Sequence, residues 1–166
     1  MTNFTDITLA LDLSLTSSGI AVIAITEGQP IILEVSHVPT LAKHSHGHRL
    51  WQISDEIERY FKAYSPEHVV REKGFSRFPA VTQALFKVVG CSDMVAQLYG
   101  HTVAEILPTT VKKAITGSGK ASKDEVAAEV VRILKIEDAN YFTTDDESDA
   151  AAVGITYLKR KGLITI

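Results

Sequence analysis

The chain has 166 residues, 45% of them hydrophobic and 22% charged, which suits one folded domain with a substantial core and excludes a disordered chain. Its formal net charge of −3 argues against a uniformly basic nucleic-acid binder, although local lysine clusters still allow phosphate contact. No apolar run reaches the roughly 18 residues of a membrane helix, MTNFTD is no signal peptide, and the single cysteine, Cys91, cannot form an internal disulfide; this predicts a soluble cytoplasmic protein with Cys91 as a small core residue.

In chain order, ITLALDL (7–13) is a short apolar run that suits a buried strand. GIAVIAIT (19–26) and PIILEVSHV (30–38) follow at hairpin spacing, which makes a three-strand antiparallel meander. Residues 46–64 repeat Leu50, Ile53, Ile57, Tyr60 or Phe61, and Tyr64 at three- and four-residue intervals, a helix. HVVRE (68–72) is a strand after the Pro66 breaker, and 79–99 is a helix whose apolar face is wide enough to be buried on two sides or to meet a partner subunit. TVAEIL (102–107) is the fifth strand. Pro108 opens a helix over 109–115 that ends at Gly117, and Ser122 with Glu125 forms a capping box for a helix over 122–135. The last helix begins near Asp145, capped by Thr143 or Thr144, and runs toward Lys161. This order predicts an α/β fold over 1–166 with a mixed five-stranded sheet: the antiparallel meander plus two parallel strands, with helices on both faces. It matches the RNase H-like arrangement.

Four acids stand out against this frame. Asp12 ends an apolar strand, where a charge is costly to bury without compensation; the plainer reading is a turn-capping aspartate. Glu72 ends the apolar fourth strand in the same way. Asp146 and Asp149 are three apart, on one face of a helix. Complementing the helix dipole explains Asp145, Asp146 and Glu147 but leaves Asp149 unmotivated. The small residues Ala150, Ala151, Ala152 and Gly154 let that helix lie close to the sheet, carrying Asp149 inward. Four converging carboxylates about 5 Å apart repel by roughly 3 kcal/mol per pair at an effective dielectric near 20, and so call for cations. Oxygen donors alone favour Mg²⁺ or Mn²⁺ over zinc, and two such ions suit phosphodiester hydrolysis.

These segments resemble the RuvC family of Holliday junction resolvases. DLSLTSSGIAV resembles its opening aspartate motif, VVREKGF its glutamate motif, LPTTVKKAITGSGKASKDEV its lysine- and glycine-containing block, and DDESDAAAVGITYL its closing D-x-x-D pattern. The blocks occur in the family's order and span most of the chain. The resemblance implies a homodimer that cuts four-way and other branched DNA symmetrically, leaving 5′-phosphate and 3′-hydroxyl nicks. It implies Asp12, Glu72, Asp146 and Asp149 as catalytic ligands of two Mg²⁺ per subunit, with Mn²⁺ substituting. Lys112 and Lys123 match basic residues near the scissile phosphate, and Phe75 matches an aromatic that stacks on junction bases. Two departures bear on specificity. Leu13 and Ser14 replace a proline–glycine pair common in cellular members, and segment 73–84 diverges around Phe75 and Arg77; both resemble the short phage and prophage members.

Lys113 and Lys120 are further candidates for phosphate contact, and Arg77 for junction contact. GSGK (117–120) lacks the GxxxxGK[ST] pattern of a nucleotide loop and reads as a glycine turn presenting amides and lysines to DNA. Phe75 reads equally as a stacking aromatic or a buried loop anchor. His44, His46 and His48 enter a helix and read as solvated or DNA-facing imidazoles rather than a metal cluster. Trp51 is expected in helix packing or at a dimer contact, and Lys159, Arg160 and Lys161 as a helix end complementing the dipole. Two other function classes compete. An actin-like or sugar-kinase ATP-binding half-domain shares the opening turn but needs a second domain. A non-catalytic junction-binding protein would have no need of four acids.

Overall fold

Strand β1 (Thr5–Asp12) is the spine of the computed structural model, which describes residues 3–74, 76–138 and 140–166. On one side β1 pairs antiparallel with β2 (Ser17–Thr26), which pairs antiparallel with β3 (Gln29–Pro39). On the other it pairs parallel with β4 (His68–Glu72), which pairs parallel with β5 (Ala104–Ile106). The sheet order is therefore β3-β2-β1-β4-β5, the expected meander plus two parallel strands. The fifth strand is shorter than the expected 102–107.

Each strand residue alternates between two apolar layers. Leu9, Leu11, Ile20 and Val22 face α1 (His46–Tyr64) and α2 (Pro79–Leu98). Ala10, Ala21, Ile23 and Val70 face α3 (Pro108–Thr116), α4 (Lys123–Ile133) and α5 (Asp145–Arg160). Both faces of β1 and β2 are thus covered, which is why these strands read as continuous apolar runs. The closest approach is made by α5. A Cβ on Gly154 would lie 2.9 Å from Ile23 Cγ1 and 3.0 Å from the Ala10 Cβ, so only glycine fits there without displacement.

The helix ends follow their local chemistry. Ser45 caps α1 by accepting from the His48 amide, and Ser122 with Glu125 forms the expected reciprocal box on α4. Gly117 ends α3 with φ of +83°, a left-handed conformation that glycine adopts without strain. At α5 the cap differs from expectation. Thr144 holds the cap position but its hydroxyl bonds no backbone amide. Instead the Glu147 carboxylate turns back, accepting from the Thr143 amide at 2.6 Å and the Thr143 hydroxyl at 2.9 Å.

Two further expectations need correction. Trp51 is 60% exposed, because it lies two residues from both buried Arg49 and buried Ile53 and so points to the opposite side of α1; this overturns the helix-packing expectation and not the dimer-contact one. Cys91 is only partly buried on α2, not a core residue. Phe75 lies outside the described residues. Among those described, no helix is long and apolar enough to cross a membrane.

Candidate active site

Parallel pairing of β1 with β4 sets the two strand-end acids side by side. Ala10 is in register with Val70 and Leu11 with Arg71; one step further, both strands end, at Asp12 and Glu72. Alternation sends these acids to the same sheet face as Ala10 and Val70, the face crossed by α5. Arg71 takes the other face. There its guanidinium binds Glu105 at 2.8 Å and also bonds Asp93 of α2, tying β4 to β5 and α2 while Glu72 is left for the cavity.

Asp12, Glu72 and Asp149 line one cavity of about 240 Å³, together with Lys112, Lys123, Pro108, Val111 and Val126. Helix α5 delivers Asp149, α3 delivers Lys112, and the first residue of α4 is Lys123, whose ammonium donates to Asp149 Oδ2 at 2.9 Å. Burial, reinforced by the charges of Glu72, Asp149 and Asp146, pushes the Asp12 carboxyl up to about 7, with Lys123 opposing. Burial and then the Asp149 charge raise Glu72 as well, opposed by Lys123 and Lys112. The Lys123 ammonium is in turn stabilised, first by its bond to Asp149.

Asp146 is not in the wall of this cavity. Its Oδ2 accepts a 2.6 Å hydrogen bond from the Ser17 hydroxyl, and Asp12 feels its charge. Among the described residues, no three His, Cys, Asp or Glu side chains are grouped so as to hold a single ion. Asp12, Glu72 and Asp149 offer carboxylate oxygens, donors that suit hard cations such as Mg²⁺ or Mn²⁺ rather than soft metals.

The other candidates spread outward. Lys113 is exposed on α3, in a recess shared with Thr109, Thr110, Ala114, Gly119 and Arg160. Among the described residues neither Lys113, Lys120 nor Arg160 has a carboxylate within 4.0 Å, unlike Lys123. Arg77 is exposed ahead of α2. Ahead of α1, the His44 and His48 rings meet edge to face at 4.6 Å, and His46 Nδ1 lies 3.1 Å from Lys87 Nζ.

Three features escaped the sequence. Glu147 is buried beside the site, bound to Thr143 and to His37 Nδ1 at 2.8 Å, so it ties α5 to β3 rather than merely complementing the dipole. Gly19 faces the first turn of α5, where an added Cβ would lie 1.9 Å from the Asp146 carbonyl oxygen. Ser17 holds Asp146. The only sequence signal for the last two was a hydroxyl-rich turn ending in glycine.

A family model described as crossover junction endodeoxyribonuclease RuvC matches residues 8–157. A crossover junction endodeoxyribonuclease RuvC of Streptomyces coelicolor is 34% identical over 154 residues, 92% of this chain and 81% of that protein. Among solved structures, Thermus thermophilus RuvC superposes with a TM-score of 0.83 at 26% identity, covering 95% of this chain and 97% of that one. The T. thermophilus RuvC in complex with Holliday junction substrate gives 0.85 at 25% identity, covering 96% and 98%.

Proposed function

The chain belongs to the RuvC family of crossover junction endodeoxyribonucleases, and from that premise we propose that it resolves Holliday junctions by divalent-metal-dependent phosphodiester hydrolysis within one RNase H-like domain. The observation that carries this reading is the joint lining of one cavity by Asp12, Glu72, Asp149, Lys112 and Lys123. Asp12, Glu72, Asp146 and Asp149 would hold two Mg²⁺ per subunit, with Mn²⁺ able to substitute. Such ions supply Lewis acidity toward the phosphodiester and lower the pKa of water.

The chain's own groups do the rest. Lys112 and Lys123 project cationic heads into an otherwise acidic cavity, where they offset charge on a phosphate approaching the carboxylates. Pro108, Val111 and Val126 form an apolar wall that limits water around the reacting group. A water oxygen would form the new bond to phosphorus as the bond between phosphorus and the 3′ oxygen breaks, and a proton from that water would end on the 3′ oxygen, leaving a 5′-phosphate and a 3′-hydroxyl. Lys113, Lys120 and Arg77, all exposed, would contact the backbone outside the cavity, and Phe75 would stack on an unpaired base.

A four-way junction offers two equivalent strands, which a twofold dimer matches. Helix α2 supports that assembly: Phe86, Met94 and Leu98 are 60%, 60% and 74% exposed and lie on one row, eight and four residues apart, with Gly90 between the first two. Neither other class fits as well. An ATP-binding half-domain gives no role to Asp149 and Lys123, and a non-cutting binder gives none to three acids around one cavity.

The test is a labelled synthetic four-way junction incubated with protein in Mg²⁺ or in EDTA. Paired, religatable nicks in Mg²⁺ alone are expected. Cutting that persists in EDTA, or no cutting across junctions of varied sequence, contradicts the proposal.

A further inference from the structure

The turn joining β1 to β2 is built from serine hydrogen bonds. Ser14 Oγ accepts from the Ser17 amide at 3.0 Å and donates to the Ser17 carbonyl at 2.7 Å. Ser18 Oγ accepts from the Ser14 amide at 3.1 Å and donates to the Ser14 carbonyl at 2.7 Å. From below, buried Arg49 donates to the Leu15 carbonyl at 3.1 Å and to Thr40 Oγ1 at 2.8 Å. With its amide and carbonyl both held by Ser14, Ser17 has its backbone fixed on either side of its Cα, and its hydroxyl reaches Asp146 Oδ2 across 129 residues of sequence.

This turn also carries Asp12, whose register partner is Gly19. Gly19 lies against the Asp146 carbonyl with no room for a Cβ. The backbone contact at Gly19 sets where the first turn of α5 sits, and the Ser17 bond sets how the Asp146 side chain is rotated. The two strand-ward anchors thus link the turn bearing one acid to the helix bearing two others.

We propose that Ser17 is a positioning residue for Asp146, holding one carboxylate oxygen so that the other is presented to a divalent cation in a single rotamer. This rests on the reading of Asp146 as a metal ligand. The physical basis is general. A ligand carboxylate that is already hydrogen-bonded has less rotational freedom to lose on coordination, and loss of such a partner typically weakens metal affinity about 10- to 100-fold. Alanine removes the donor. Threonine keeps it and suits an extended backbone.

The experiment is calorimetric titration of Mn²⁺ into the full chain without DNA, for wild type, Ser17→Ala, Ser17→Thr and Asp146→Asn, with melting in EDTA confirming that each is folded. The expected result is a dissociation constant raised about 10-fold in Ser17→Ala and restored toward wild type in Ser17→Thr. The Mn²⁺ concentration for half-maximal junction cutting should rise in parallel, with the rate at saturating Mn²⁺ less affected. Wild-type affinity in Ser17→Ala alongside weakened binding in Asp146→Asn overturns the role of Ser17 and leaves the ligand assignment standing. Wild-type affinity in Asp146→Asn overturns that assignment and the inference with it. Should Ser17→Ala fail to fold, Ser17→Cys, a near-isostere with a weaker donor, takes its place under the same criteria.

Discussion

A carboxyl group at the end of a buried strand is tolerated either by keeping its proton or by gaining a cation. Asp12 shows the first behaviour when protein groups alone surround it, its pKa raised from 3.8 to about 7, chiefly by burial. The sign of the consequence follows. Between these values the folded chain holds a proton that the unfolded chain has released, so this stabilising contribution is complete below about pH 4 and is lost as pH rises toward 7. In EDTA the wild-type chain should therefore lose stability relative to Asp12→Asn between pH 5 and pH 8, by an amount on the order of a few kcal/mol. Thermal melts at the two pH values check this; a constant difference between the proteins would show that Asp12 does not hold its proton. Adding Mg²⁺ at pH 8 should restore the wild type far more than the variant. The placement of Asp12 and Glu72 at one cavity was legible in the sequence because each ends an apolar strand with a charge, on neighbouring strands. Ser17 was not, because its partner lies on the last helix and no local pattern links the two.

At the scale of elements, the cavity depends on how closely α5 lies on the sheet. Asp149 reaches it because the next residues, Ala150, Ala151 and Ala152, are fully buried and small, and because Gly154 touches Ile23 and Ala10. Spacing and side-chain size made this visible beforehand. Glu147 was harder to see: in sequence it is one of three acids in the first turn, and only its fold-back to Thr143 and His37 distinguishes it. Gly154→Val would force methyl groups into space already filled, a strain of about 1–3 kcal/mol that is relieved by lifting α5. The expected outcome is a lower melting temperature together with a loss of junction cutting larger than the lost folded fraction explains, since Asp146 and Asp149 both move with α5. Cutting that falls only in proportion to the folded fraction would place the site's geometry outside α5's control.

For the whole molecule, charge and apolar surface are both unevenly spread. The net charge of −3 counts the acids of the cavity and conceals Lys113, Lys120 and Arg160, exposed cations with no carboxylate within 4.0 Å among the described residues. Composition alone gave no hint of this, because it reports a sum and DNA responds to local potential. The apolar row on α2 is likewise exposed in the single chain, and its width was already evident from the sequence. The dimer proposed through α2 predicts a wild-type dimer and a Leu98→Asp monomer in analytical ultracentrifugation, with the melting of the fold little changed, since Leu98 is 74% exposed. An unchanged dimer would move the interface elsewhere.

In the proposed division of labour, cutting belongs to the acids around the cavity and junction affinity comes from cations outside it. Its most direct measurement is a single preparation of Asp12→Asn, assayed both for junction binding and for single-turnover cleavage in Mg²⁺. The predicted result is binding within a few-fold of wild type with cleavage lowered by several orders of magnitude. Cleavage at the wild-type rate would remove Asp12, and with it the cavity, from the chemistry.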